Sequence, residues 1–310
     1  MIQEIKTKNR EEWLELRRSY IGGSEAGAVM GLDSYSSPYR VWAEKTGRIP
    51  GFDGNITTEV GAYLEELVAQ MFCRETGKKV RRKTATMVND LYPWACADVD
   101  RMVVGESALL ECKTTTSFPV MRKVKGGEYP ERWYCQMTHY MAVTGLKKAY
   151  LAVLVNCRDF RWFELERDQE EIDTLMRCEH DFWQYVASDE EPPADGLDAT
   201  GETLATIYAD GGDGEVELFG RTEQLKRYFD LDAQIKDLKR QQEQIKQAIQ
   251  QDMGEAEKAR CAGFKISWPV QDGKRSFNAK RLEADYPDMD FSSYYETGKP
   301  FRRFTIKEDN

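Results

Sequence analysis

The sequence predicts an α/β protein: a central mixed sheet flanked by helices, with a helix-led unit appended at its C-terminal side. Three observations carry this prediction. Apolar residues recur at helical spacing through residues 8–76, and again over 130–145 and 168–187. Between those stretches the period shortens to that of strands, over 80–116 and 149–165. The order is therefore helices, sheet, helices, which differs from the strand–helix alternation of a Rossmann series. Beyond the turn-rich Asp210-Gly211-Gly212-Asp213-Gly214, a polar helix with one apolar seam begins.

Each element has a local cause. Residues 8–20 form an amphipathic helix carrying Trp13, Leu14, Leu16 and Arg17; Gly22-Gly23 breaks it, and Ser24 is placed to cap the helix over 25–30. Pro38 occupies an N1-like position of a helix through Tyr39, Val41 and Trp42 that stops at Gly47. Over 58–76, Val60, Leu64, Leu67, Val68, Met71 and Phe72 fall on one stripe, and Gly77 terminates the helix. Strands follow from Val80, at Met87-Val88, and over 95–99, 102–104 and 108–113. A helix over 130–145, strands over 149–155 and 161–165, and a helix over 168–187 complete a core of residues 1–209. Residues 215–310 form an accessory module. Leu231, Ile235, Leu238, Ile245 and Ile249 keep a heptad seam with Gln242 at one core position, and short strands are expected over 264–268, 275–277 and 301–306.

With 310 residues, 41% of them hydrophobic and 32% charged, the chain has the composition of a soluble globular protein. It holds no apolar run of about 18 residues, and its first residues, Met1 to Lys6, lack the apolar stretch of a signal peptide. A cytoplasmic protein with no membrane partner is the expectation. Seven scattered cysteines without a C-x-x-C pair exclude a disulfide framework and the usual zinc or iron–sulfur spacings, and two histidines disfavour a His-rich zinc site. The net charge of −10 argues on its face against nucleic acid. The basic clusters Arg17-Arg18, Arg81-Arg82-Lys83, Arg122-Lys123 and Lys147-Lys148 nonetheless permit a basic groove within an acidic exterior.

The segment from Asp100 to Lys113 carries the chemistry. Gly105-Glu106-Ser107 is turn chemistry between two apolar runs, so it folds Asp100 back toward Glu111. Alternation along the strand sends Glu111 and Lys113 to one face and Cys112 to the other. Two carboxylates and an ammonium then converge, a set that can hold Mg²⁺ through oxygen and polarise water beside a phosphate. Asp98, two residues before Asp100, shares its face and is a rival ligand. An exposed ion pair between Glu111 and Lys113 is the plain alternative.

Further motifs surround this hairpin: Trp13 with Arg17, Tyr20-Ile21-Gly22-Gly23-Ser24-Glu25, Val41-Trp42 with Lys45-Thr46-Gly47, Gly61 with Glu65, and Tyr134-Cys135-Gln136-Met137 leading to Gly145. In order and spacing the set resembles the YqaJ-type viral recombinase nucleases, relatives of phage lambda exonuclease in the PD-(D/E)xK superfamily. The resemblance implies a PD-(D/E)xK nuclease core. It casts Asp100, Glu111, Lys113, Gln136 and Glu65 as catalytic, with metal held by Asp100, Glu111, the Cys112 carbonyl and Glu65, directly or through water. Arg17 and Ser24 match residues that hold a terminal 5′-phosphate, and Tyr134 is a secondary DNA contact. It further implies Mg²⁺, with Mn²⁺ as a substitute, and the absence of a cysteine spacing here leads us to expect no iron–sulfur cluster. The expected substrate is a double-stranded DNA end, resected from the 5′ side to leave a 3′ single strand for an annealing protein. The expected assembly is a homo-oligomer such as a trimeric ring, encoded by a phage or prophage and acting in the bacterial cytoplasm. One departure stands out: Arg101 follows Asp100 where the family often has glycine, which keeps Asp98 open. The alternatives are an endonuclease on the same scaffold and a non-catalytic DNA-binding recombination adaptor. The joint presence of Asp100, Glu111 and Lys113 speaks against the adaptor.

Overall fold

The structure is a computed structural model that describes every residue except 297, 299–300 and 308–310. Its compact units are Met1–Asp210 with the described residues of 301–310, and the described residues of Gly211–Pro300. The described residues after 300 thus group with the first unit, where the sequence expectation places them in the accessory module.

The first unit begins with β1 (Ile2–Ile5), α1 (Arg10–Arg18), β2 (Ile21–Gly22), α2 (Gly23–Val29), α3 (Pro38–Lys45) and α4 (Ile56–Thr76). Strands β3 (Val80–Arg82), β4 (Thr86–Asn89), β5 (Tyr92–Ala97), β6 (Arg101–Val103) and β7 (Ala108–Thr115) follow. Then come α5 (Phe118–Lys125), α6 (Glu131–Thr144), β8 (Lys148–Val155), β9 (Asp159–Glu166), α7 (Gln169–Ser188) and α8 (Asp198–Ile207). Local chemistry explains the ends. Asn9 caps α1 and Asn55 caps α4 through their side chains, while Gly77 and Gly145 close α4 and α6 in the left-handed conformation. The strand β1 and the short helices α5 and α8 escaped the sequence reading. Each is too brief to establish a period of its own.

The strands form two sheets where one central sheet is expected: β1-β4-β5-β2 and β3-β6-β7-β8-β9. Both are mixed, since β2 runs parallel to β5 and β7 parallel to β8, the remaining pairings being antiparallel. The larger sheet is covered on both faces. Leu109 of β7, with Leu151 and Val153 of β8, packs among Met137 and Met141 of α6. Leu110 of β7, with Tyr150 and Ala152 of β8, packs among Val68, Ala69 and Phe72 of α4. Odd-numbered residues of β7 therefore face α6 and even-numbered ones face α4. The helix α4 buries Val68 and Phe72 with Leu64 partly buried against them, whereas Val60 and Leu67, expected on the same stripe, are exposed along with Ile56 and Tyr63. Deep between α6 and α7, His139 and Glu179 are fully buried and bonded at 2.8 Å, with the other ring nitrogen 2.9 Å from the Cys96 carbonyl of β5.

The second unit consists of α9 (Thr222–Met253), a hairpin of β10 (Lys258–Cys261) and β11 (Phe264–Ser267), and α10 (Ala279–Asp285). The heptad seam lies on α9 with Leu231, Ile235, Leu238 and Ile245 exposed. Residues 275–277 and 301–306, expected as strands, are not in strands. Their alternation of aromatic and charged residues finds no partner strand, and a lone extended segment leaves its backbone groups to solvent.

Candidate active site

The site is assembled at the β6–β7 hairpin. Arg101 pairs with Leu110, so Asp100 stands opposite Glu111, and its carboxylate accepts the Cys112 backbone N–H at 2.8 Å. Glu111 is 3% exposed. Its Oε1 accepts from Gln136 Nε2 of α6 at 2.8 Å and lies 2.7 Å from Lys113 Nζ. Among the described residues its Oε2 has no hydrogen-bond partner. Gln136 also donates to the Tyr140 hydroxyl at 3.0 Å, one turn further along α6.

The electrostatics follow from burial. Desolvation, and next the neighbouring Glu111, push the Asp100 carboxyl well above the usual carboxylate range. Burial opposes the Lys113 charge, but Glu111 and Asp100 outweigh it and hold the ammonium above the ordinary lysine value. Two carboxylates served by one lysine, with one oxygen orphaned, form a cluster short of positive charge. The donor chemistry fits Mg²⁺, which takes one or two carboxylates and keeps several of its waters. Among the described residues no three His, Cys, Asp or Glu side chains converge as a ready-made cage.

Glu65 explains why. Arg101 shares the α4 face of the sheet with Leu110, is 3% exposed, and donates to Glu65 and, at 3.0 Å, to Glu66. The expected carboxylate ligand from α4 is thus held by an arginine. It still adds to the negative field at Asp100. Asp98 is also committed elsewhere, accepting from Trp13 Nε1 at 3.2 Å and Thr86 Oγ1 at 2.6 Å.

A second cluster adjoins the first. The parallel pairing of β2 with β5 sets Gly22 beside Cys96. Arg17 reaches over Gly22, where an added Cβ would sit 2.6 Å from its Nη2, and donates to Ser24 Oγ at 2.9 Å. Behind it lies Glu25, whose Oε2 accepts from the Gly22 N–H at 2.7 Å and Lys45 Nζ at 2.8 Å, with Arg17 Nη2 at 3.5 Å. Lys45 also donates to the Arg17 carbonyl at 2.6 Å. Burial disfavours the Glu25 charge, but Lys45 and Arg17 together hold it below the ordinary carboxylate value. A Cβ on Gly23 would lie 2.4 Å from the ring of Tyr140, the partner of Gln136, so the two clusters share one region.

Asp100, Glu111, Lys113 and Gln136 are brought together, and Arg17 with Ser24 beside them. Tyr134 is not: it lies near Glu171 and Asp168 at the start of α7, because two residues along a helix is more than half a turn from Gln136. Arg132 and Tyr140, four residues either side of Gln136, share its face and were missed. That i±4 spacing was visible in the sequence.

Comparison with known proteins places the chain in a family and a fold. Residues 12–147 match the family model of the YqaJ-like viral recombinase domain. The chain is 36% identical over 316 residues to the protein YqaJ of Bacillus subtilis (strain 168), covering 98% of each. Among solved structures, an alkaline exonuclease (LHK-Exo) from Laribacter hongkongensis aligns with a TM-score of 0.51 at 21% identity, over 58% of this chain and 93% of that one. Its complex with dAMP aligns at 0.52 and 22% over the same shares. Those structures share the mixed α/β fold; the relative matched along its whole length, together with the family model, shows that this chain belongs to the YqaJ-like viral recombinase family.

Proposed function

We propose that the protein is a Mg²⁺-dependent exonuclease of phage or prophage recombination that hydrolyses linear double-stranded DNA from its 5′ ends. The observation that carries this reading is the orphaned, buried Glu111 Oε2 beside Asp100 and Lys113. A buried carboxylate oxygen without a partner is costly, and a divalent cation satisfies it. The family membership and the exonuclease fold support the same reading.

Asp100 and Glu111 would hold the ion, which supplies an activated water and charge neutralisation at phosphorus. Gln136 fixes the Glu111 carboxylate through Oε1 and is itself oriented by Tyr140. Lys113, 23% exposed at its side chain, can present an N–H to the attacking water or to a non-bridging phosphate oxygen. Arg17 and Ser24 would receive the terminal 5′-phosphate, the guanidinium being fixed from behind by Glu25. Such a grip positions the first phosphodiester at the carboxylates and sets the polarity. A 3′ single strand remains for an annealing protein, and a homo-oligomer working in the bacterial cytoplasm fits this role.

The test is a duplex phosphorylated at its 5′ ends, incubated with Mg²⁺ while mononucleotide release is followed. The proposal expects release from the 5′-labelled strand end and none from a covalently closed circle. Cutting of the circle would instead assign an endonuclease. Retention of DNA without cleavage would assign a binding adaptor.

A further inference from the structure

The face of α6 that carries Gln136 and Tyr140 begins one turn earlier with Arg132, whose role the site described above leaves open. Arg132 Nη1 donates to Asp33 Oδ1 at 3.1 Å, and its guanidinium lies 4.8 Å from the centroid of the Tyr35 ring. Asp33 Oδ1 also accepts the Tyr35 backbone N–H at 2.9 Å, so one carboxylate fixes both members of the stack. The segment after α2 that bears them is tied to α6 at close range: a Cβ on Gly27 would meet the Arg132 Cβ at 2.6 Å. Tyr35 nevertheless remains 63% exposed, an aromatic ring held in place with most of its surface toward solvent. Among the described residues, the Arg132 guanidinium makes no hydrogen bond besides the one to Asp33. Arg132 stands one turn before Gln136, whose Nε2 donates to Glu111 of the hairpin at 2.8 Å.

A packing role alone does not call for an open ring and spare guanidinium N–H groups. Arginine with a planar aromatic partner is the combination that takes a phosphate on the fork and a base on the ring. We propose that Arg132 and Tyr35, pinned by Asp33, form a subsite for the nucleotide next to the scissile one, with Tyr35 stacking its base and Arg132 holding its phosphate. The subsite rests on the nuclease reading for its ligand, a DNA strand, but not on the metal chemistry. It would hold the strand toward the N-terminal end of α6, about two turns from Tyr140, which lies against Gly23 beside the Arg17 grip.

Binding of a 5′-phosphorylated duplex is measured with Ca²⁺ in place of Mg²⁺, alongside cleavage in Mg²⁺. Tyr35→Ala is expected to weaken binding by roughly tenfold or more, the worth of one base–aromatic stack, and Tyr35→Phe to restore it. Arg132→Ala should lower the slope of log K against log salt by about one phosphate contact. Arg132→Lys, which keeps the charge near Asp33 but loses the plane, should retain the slope and lose part of the affinity. An abasic position walked inward from the 5′ end should weaken the parent at one step and leave Tyr35→Ala unaffected there. Equal binding by parent and Tyr35→Ala, or the same abasic penalty in both, overturns the subsite even if cleavage is intact. A parent that binds through Tyr35 yet never cleaves overturns the nuclease reading and leaves the subsite standing. A parent that binds no DNA removes both.

Discussion

Two glutamates in adjoining clusters, Glu111 buried and Glu25 half-buried, are treated in opposite ways. Glu25 is saturated: a backbone N–H, the Lys45 ammonium and the Arg17 guanidinium all approach its Oε2. Glu111 is left incomplete, with Gln136 and Lys113 on Oε1 and nothing on Oε2. The contrast separates architecture from reactivity. A carboxylate compensated by its own protein fixes other side chains, and one left short of positive charge is the one that the proposed function assigns to a cation.

That contrast can be broken at several points. The largest effect is expected at Lys113→Ala and Glu111→Gln, each reducing cleavage of a 5′-phosphorylated duplex by about 10³-fold or more. Glu111→Gln should leave the thermal midpoint unchanged or raised, since it removes a buried charge that the protein alone does not balance. Glu25→Gln should do the reverse. It is expected to cost about 3 kcal/mol in urea unfolding, because Arg17 and Lys45 lose their shared counter-charge. It should also shrink the preference for 5′-phosphate over 5′-hydroxyl ends. A Glu25→Gln protein as stable as the parent would mean that the saturated cluster is not structural.

A smaller effect separates the two aspartates. Asp100→Asn should abolish cleavage, whereas Asp98→Asn should retain it within about tenfold, because Asp98 is occupied by Trp13 and Thr86. Strong loss in Asp98→Asn alone would reverse that assignment.

Stability should also depend on pH through His139. Burial disfavours its charge, but Glu179 above all, then the Cys96 carbonyl and Glu25, hold its value above that of a free histidine. The protonated ring is thus favoured in the folded state. Its contribution is whole below about pH 6.5, the unfolded value, and is lost as pH rises through the raised folded one. Denaturation followed across that window should show the fall in the parent and a flatter curve in His139→Gln. The smallest effect is expected at Tyr134→Phe, with cleavage and stability within about 0.5 kcal/mol of the parent, since its ring is remote from Gln136.

Much of the site could be read because it is local. The hairpin needs only a turn and strand alternation to bring Asp100 opposite Glu111 and Lys113 onto the same face. Arg17 and Ser24 come together across a single glycine break. Tyr134 stands apart from Gln136 for an equally local reason, since two residues along a helix are more than half a turn apart. Arg132 and Tyr140 follow from that same phase once it is respected. The capture of Glu65 by Arg101 could not be read, because it joins α4 to β6 across 36 residues of chain. The division into two sheets was equally hidden, as β1 and β2 find their partners only through distant pairing with β4 and β5.

By itself, then, the sequence determined the order of elements, the hairpin with its two carboxylates and lysine, and the membership in the YqaJ-like viral recombinase family. Periodicity, turns and caps act over a few residues, so their outcome is written locally. Only the tertiary structure decided which charges are compensated. Whether a carboxylate is saturated, like Glu25, captured, like Glu65, or open, like Glu111, depends on desolvation and on donors delivered from other elements. Those are properties of packing, and no local pattern encodes them.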